Sequence, residues 1–439
     1  MLAVLKRIVR KDLVRVFSLT AMSTMVRMIA GFVSVKIISG LIGPSGIALV
    51  GQLTNFSSIV LTVSTGGINS GVTKYISENP GSRTHTSQIL STAFCIAALM
   101  SLLAGAVIIT GSGFFSRIIL HDPRYSSVIT IFGFTIIFYA FNALLLSAIN
   151  GYKEFNKYVV VNIISSLVGL MFSASLAYFY GVYGALLSAI TFESVVFLIT
   201  LYIAVRSPWF RSWKFRSNFS FPALRKLSNF SLMAVVSAAT VPVAQIIIRN
   251  TIIREASLND AGLWDGMNKI STMYLLIITT SLGIYYLPRL SELKNPLALR
   301  REILSTYKII LPPLLLLSIG LYFFRDLIIV TLFNPAFHEM NRLFAFQLTG
   351  DFLKICSWIL SFQMLAKSMT KLYVVTEIAG CILYVTLATV SIRFLGNVGA
   401  TIGYAACYLV YFISLLIIFR KLIFYRYAAK QRTSAERIP

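Results

Sequence analysis

RSPWFRSWKFRSNFSFPALRKLSN, residues 206–229, is the one extended polar interruption in an otherwise apolar chain. It carries six basic residues, Arg206, Arg211, Lys214, Arg216, Arg225 and Lys226, and no acid. Six apolar runs long enough to cross a bilayer precede it and six follow. The stretch therefore reads as a linker between two halves of one membrane protein. Lys and Arg concentrate in loops that stay on the cytoplasmic side, so it is expected there. On an anionic membrane surface Trp209, Phe210, Trp213, Phe215 and Phe219 would lie among lipid headgroups, with the cations near phosphates; the alternative is an ordinary positively charged inside loop.

Composition agrees. Of the 439 residues, 57% are hydrophobic and 12% charged, and a mean hydropathy of +0.80 excludes a soluble globular chain. The net charge of +24 is carried by short segments between apolar runs. No basic domain stands clear of the membrane, so no nucleic acid is expected as a partner. Cys95, Cys356, Cys381 and Cys407 all fall inside apolar runs without ligand-like spacing, which supports neither a disulfide framework nor a metal site. The first apolar run lacks a cleavage site and is long enough to span, so it is expected to be retained as a helix.

The expected spans are 17–38, 46–65, 88–110, 126–148, 158–180, 182–205, 230–252, 264–287, 303–324, 342–366, 372–394 and 399–419. Continuous apolar runs near 20 residues make these helices rather than barrel strands. Basic residues crowd the N-terminal arm, the linker, the loop from Arg289 to Lys308 and the tail from Arg420 onward. This places both termini in the cytoplasm.

The halves resemble one another. FYGVYGA (179–185) recurs as FLGNVGA (394–400), Tyr158-Val159-Val160 as Tyr373-Val374-Val375, and Phe17-Ser18-Leu19 as Phe230-Ser231-Leu232. The near-constant separation points to duplication. An even number of spans per half makes the repeat parallel, with a cleft between two bundles and alternating access as the motion. The expected fold is thus an all-α membrane protein of twelve transmembrane helices in two six-helix lobes related by a parallel pseudo-repeat. Its parts are an N-terminal lobe at 1–205, the linker at 206–229, a C-terminal lobe at 230–419 and a basic tail at 420–439. Pro242, Pro312 and Pro313 are expected to bend their helices. The glycine-rich turn at 66–71 lacks the Lys-Ser/Thr of a phosphate loop and reads as a helix end.

An ionised group inside an apolar run costs about 2.5–3.5 kcal/mol, and nine of the charged residues there are candidate site residues. Arg27, Lys36, Arg249, Lys269 and Lys354 are the candidate ligand-binding cations. Asp265, Asp351, Glu193 and Glu377 are candidates for ion coupling or charge pairing. Arg27 lies ten residues into its span, about 15 Å and close to the midplane. Lys36 and Arg249 are candidate symmetry mates. Asp265 with Lys269, and Asp351 with Lys354, are spaced to meet on one helix face. Cations outnumbering acids favour an anionic head such as a multivalent phosphate. Gln52, Asn55, Asn142, Asn162, Asn268 and Gln347 would suit sugar hydroxyls. No Walker loop, cofactor fingerprint or catalytic triad is present, so no cofactor is expected. Coupling, if the cycle is driven, would run on H+ or Na+.

The stretches SNFSLMAVVSAATVPVAQIIIRN (228–250), AGLWDGMNKISTMYL (261–275), YYLPRLSEL (285–293), RLFAFQLTGDFLKI (342–355) and GVTKYISE (71–78) resemble the bacterial Wzx-type flippases of O-antigen and enterobacterial common antigen synthesis. That resemblance implies a fold of the multidrug/oligosaccharidyl-lipid/polysaccharide exporter superfamily. It also implies translocation of undecaprenyl-diphosphate-linked oligosaccharide between leaflets of the inner membrane through a cationic cavity. The expected partners are the lipid-linked oligosaccharide and membrane lipids, with the O-antigen polymerase and chain-length machinery as further candidates. Some relatives carry an acid where this chain has Thr272, so an acid-dependent coupling step carries over only if Asp265 substitutes for it. The alternatives are an ion-coupled multidrug antiporter of the same fold and, less well supported, a membrane glycan polymerase or ligase.

Overall fold

A computed structural model describes residues 2–78, 82–212, 219–367 and 369–424. Among these residues the secondary structure is helical, with no strand. Hydrocarbon offers backbone groups no partner, so a long apolar run must satisfy them within itself. The first half comprises α1 (Leu2–Ser64), α2 (Asn69–Glu78), α3 (Arg83–Thr110), α4 (Ser112–Ile119), α5 (Ser126–Gly151) and α6 (Phe155–Val205). The linker contributes α7 (Pro208–Ser212). The second half comprises α8 (Phe221–Glu255), α9 (Leu258–Ser281), α10 (Leu287–Glu292), α11 (Pro296–Phe323), α12 (Arg325–Leu332), α13 (Phe344–Ala366), α14 (Thr370–Leu395), α15 (Asn397–Ile418) and α16 (Arg420–Phe424).

The starts follow local chemistry. Ser257 accepts from the Asp260 N–H at 3.0 Å to cap α9, and Asn295 accepts from the Leu297 N–H at 2.9 Å ahead of Pro296 at the first position of α11. The glycine-rich turn ends α1, as expected from its sequence.

Eight helical segments among the described residues are long and apolar enough to cross a membrane. Two of them, Met22–Ser64 with 43 residues and Phe155–Val205 with 51, far exceed the roughly 20 residues of one crossing. Each is bent at a single glycine, Gly43 (φ 65°) before Pro44 in α1 and Gly181 (φ 56°) in α6. The expected separate spans on either side of these residues are therefore continuous helix with a one-residue corner. Met171, Phe179, Leu316, Phe323 and Phe394 are all at least 70% exposed, an apolar surface that suits lipid rather than water.

The chain forms two compact units, residues 1–249 with 331–337, and residues 250–330 with 338–439. In the first, α1 and α5 pack on α6, and α3 on α5. There Gly105 and Gly133 let two backbones touch: a Cβ on Gly105 would sit 2.6 Å from the Gly133 carbonyl oxygen. In the second, α13 packs on α11 and α15, and α14 on α15.

The start of the linker is fastened to the first unit. Trp209 is buried rather than lodged among headgroups: its Nε1 donates to Glu154 Oε2 at 3.1 Å and its ring stacks on Tyr152 at 4.9 Å. Ser207 Oγ donates to the same carboxylate at 2.7 Å, and Lys157 Nζ bridges Glu154 and Ser207 at 3.1 and 2.6 Å. An indole that finds an acceptor inside the protein gains a hydrogen bond and apolar burial together. Phe219 is exposed, while Trp213 and Phe215 lie outside the described residues.

Candidate functional site

In the first unit, the four candidate charges embedded in apolar helix meet different environments. Arg249 on α8 is 1% exposed. Its Nη1 donates to Gln52 Oε1 at 2.6 Å. With the Asn55 amide oriented as its neighbours require, Asn55 accepts from Nη1 and Nη2 at 3.2 Å each and donates to Gln245 Oε1 at 3.0 Å. Amide dipoles thus replace part of the hydration a buried guanidinium forfeits.

Lys36 has an exposed side chain whose Nζ donates to the Phe333 carbonyl at 2.6 Å, just past the end of α12. A cation suits the negative end of a helix dipole. One turn on, the Ser39 carbonyl accepts from Asn334 Nδ2 at 3.2 Å, so α1 seats the Phe333–Asn334 corner at two points. Lys36 and Arg249 share their spacing from the halves' beginnings but not their surroundings.

Arg27 is exposed on α1. Counted back from the Gly43 corner it lies sixteen residues away, about 24 Å. In a hydrocarbon layer of ~30 Å that is beyond the midplane, toward the N-terminal side of the span. The sequence boundaries set it nearer the centre because they ended the first span at residue 38. Glu193 on α6 is half-buried and accepts from Asn142 Nδ2 at 2.7 Å.

In the second unit Asp351, Lys354 and Glu377 come together. Asp351 on α13 is wholly buried and accepts from the Tyr274 hydroxyl on α9 at 2.7 Å and the Tyr404 hydroxyl on α15 at 2.8 Å. One carboxylate therefore ties three helices. Gly350 permits this, since a Cβ there would stand 2.3 Å from the Tyr404 ring. Lys354, one turn further, has its Nζ 5.1 Å from the Trp358 ring centroid and 5.8 Å from that of Tyr408. Asp351 and Glu377 act electrostatically on the same ammonium, which sets Glu377 of α14 in this neighbourhood. Asp265 is buried and Lys269 half-buried, one turn apart on α9. Thr272 donates to the Asn268 carbonyl at 2.8 Å.

Several polar side chains that the sequence offers to sugar hydroxyls serve these charges instead. Gln52 and Asn55 hold Arg249, Asn142 holds Glu193, and Gln347 Nε2 reaches Asp351 at 3.5 Å. The tyrosines around Asp351 went unread because they lie 77 and 53 residues away along the chain.

Residues 13–294 match the family described as polysaccharide biosynthesis protein. The Lipid III flippases of Escherichia coli (strain K12) and Shigella flexneri are each 27% identical to this chain over 394 residues, covering 90% of it and 94% of the relative. Among solved structures, the inward-facing conformation of a multidrug resistance MATE family transporter of the MOP superfamily matches with a TM-score of 0.73 at 16% identity. That match covers 91% of this chain and 95% of the other. Lipid II flippase MurJ in an inward closed conformation matches with a TM-score of 0.72 at 12% identity, covering 93% and 87%. The structural likenesses establish the fold of the exporter superfamily, as the sequence resemblance implied. With the family match running through nearly two-thirds of its length, the chain belongs to the polysaccharide biosynthesis protein family.

Proposed function

We propose that the protein is a flippase that moves a lipid-linked oligosaccharide from one membrane leaflet to the other by alternating access. The likeness to Lipid III flippases over nine-tenths of the chain carries this reading. Those relatives are named as transporters, and the chain is accordingly a transporter rather than an enzyme. A cargo with an undecaprenyl-diphosphate anchor and an O-antigen-type or common-antigen-type glycan fits the excess of cations over acids in the apolar helices. The setting is the bacterial inner membrane, crossed twelve times with both termini in the cytoplasm. Two crossings in each glycine-bent segment, one in each of the six other apolar segments, and α8 and α9 make up that number. The O-antigen polymerase and chain-length machinery would take over the product.

Within this reading Arg27 is the cation best placed to meet a diphosphate, because its side chain is exposed on an apolar helix where lipid alone would be a costly neighbour. Lys269 and Lys354 are half-buried and complete the proposed set with Lys36 and Arg249. The last two already hold protein acceptors, so contact with phosphate requires them to exchange partners. Asp265, Asp351, Glu193 and Glu377 are the proposed coupling or balancing acids.

The test is complementation in cells lacking their own flippase. Lipid-linked oligosaccharide should become accessible to a membrane-impermeant glycosidase at the periplasmic face when this chain is supplied. No restored exposure, together with export of a hydrophobic cation by purified protein in vesicles, would replace the flippase by the multidrug antiporter.

A further inference from the structure

A groove of about 400 Å³ lies wholly within the second unit. Its walls come from α11, α13, α15 and α16, including Ile303, Leu304, Leu311, Phe352 and Leu416, with Arg300 at one end. The Tyr307 hydroxyl is engaged within the wall, donating to the Cys356 carbonyl at 2.6 Å. Hydrocarbon is what remains to be presented.

The rim is basic. Arg300 is half-buried in the first turns of α11, and Arg301 beside it is exposed. α16, which gives Leu422 and Ile423 to the wall, begins with exposed Arg420 and Lys421. The nearby acid, Glu302, is held by Arg289 at 3.6 Å. An apolar trough ending in a cationic rim is complementary to a hydrocarbon chain carrying an anionic head, the combination by which basic pockets between membrane helices hold acidic lipids.

Two dimensions narrow the occupant. Arg300 and Leu311 are eleven residues apart on α11, about 16 Å along the helix axis, which is close to the ~15 Å hydrocarbon depth of one leaflet. A 150 Å³ apolar cavity holds a six-carbon ring, so by scaling this groove holds on the order of sixteen carbons. That is one acyl chain and far short of a long polyprenyl tail. The chain's own residues 425–439, which follow α16, include Arg426, Lys430, Arg432 and Arg437 and are too polar to fill it.

We propose that this groove binds an anionic phospholipid, one acyl chain lying against Leu304, Phe352 and Leu416 and its phosphate at Arg300. None of the proposed cargo cations is in its lining, and it holds a resident lipid of the leaflet on the basic side.

Native mass spectrometry of the purified full-length protein, titrated with phosphatidylglycerol, phosphatidylethanolamine or a polyprenyl phosphate, tests it. Phosphatidylglycerol should be retained at least fivefold over phosphatidylethanolamine. Arg300→Gln should erase that preference and Arg300→Lys keep most of it. Leu416→Trp should lower retention of both phospholipids at unchanged helicity, with Leu304→Trp at the more exposed wall as the second filling variant. Equal retention of the two phospholipids, or a preference indifferent to Arg300→Gln and to both tryptophans, would overturn the proposal. So would one-for-one displacement of bound phosphatidylglycerol by polyprenyl phosphate, which would give the groove to the cargo's tail.

Discussion

Gly181 and Gly396 stand 215 residues apart and hold the same backbone conformation, φ 56°, ψ −133° in one and φ 59°, ψ −141° in the other. Three residues on, a Cβ on Gly184 would meet the Leu176 carbonyl oxygen at 1.8 Å, and one on Gly399 the Ser391 carbonyl oxygen at 2.3 Å. Leu176 and Ser391 are again 215 apart. Elsewhere, the eight-residue helices α4 and α12 begin 213 residues apart, each separated by a single residue from the long helix before it. The same corner and the same helix, break, short helix sequence occur once in each half, which is how a duplicated chain folds.

Side chains are nearly excluded from the backbone region these two glycines occupy, at a cost of about 1–3 kcal/mol. Gly181→Ala and Gly396→Ala should therefore each lower the Tm of the detergent-purified protein by about 1–3 °C. Gly380→Ala should leave it unchanged or raise it, since that glycine is helical with no atom within 4 Å of the added methyl. A large loss at one corner and none at the other would dissolve their equivalence.

Removing Arg249 strands the amide oxygens it satisfies. Arg249→Met should cost about 1–3 kcal/mol for each buried acceptor left without a donor. Arg249→Lys should restore only part of this, because a point charge replaces a planar fork. Gln52→Leu should be destabilising too, as it deprives a buried cation of an acceptor at 2.6 Å. Thermal unfolding of the three variants checks this; full stability of Arg249→Met would show that the cluster contributes nothing.

The two phenols on Asp351 are expected to act as a clamp. Tyr274→Phe and Tyr404→Phe should each cost about 1.5–3 kcal/mol, as hydrogen bonds to a charged group do. Against an Asp351→Asn background each should cost much less. A double-mutant cycle on unfolding in mixed micelles measures the coupling, and additive losses would mean that the hydroxyls stabilise the helices independently of the carboxylate.

Arg27→Ala should abolish appearance of lipid-linked oligosaccharide at the periplasmic face at normal protein level, and Arg27→Lys should recover part of it. Arg254→Ala, an exposed change in the last turn of α8, should export normally. Wild-type export by Arg27→Ala would remove this residue from the cargo path.

The doubled architecture was legible because membrane crossing is written in long apolar runs and loop charge. FYGVYGA and FLGNVGA mark corners that recur in three dimensions. The break at Gly43 was misjudged as a loop of several residues, since composition does not distinguish a polar turn from one glycine with inverted torsion in unbroken helix. α4 and α12 were missed because eight residues are too short to register against the long runs beside them. The embedded charges could be picked out one by one from the cost of burying them, but not their partners. Nothing local to Asp351 announces Tyr274 or Tyr404, and nothing near Arg249 announces Gln52, 197 residues upstream.

Thr331–Phe337 belongs with the first compact unit although it is encoded deep in the second half. Lys36 and Ser39 grip it at Phe333 and Asn334. A gene split at the linker would thus yield a leading fragment missing a stitch that only the trailing fragment supplies, and the two pieces should accumulate stably when co-expressed but not when either is made alone.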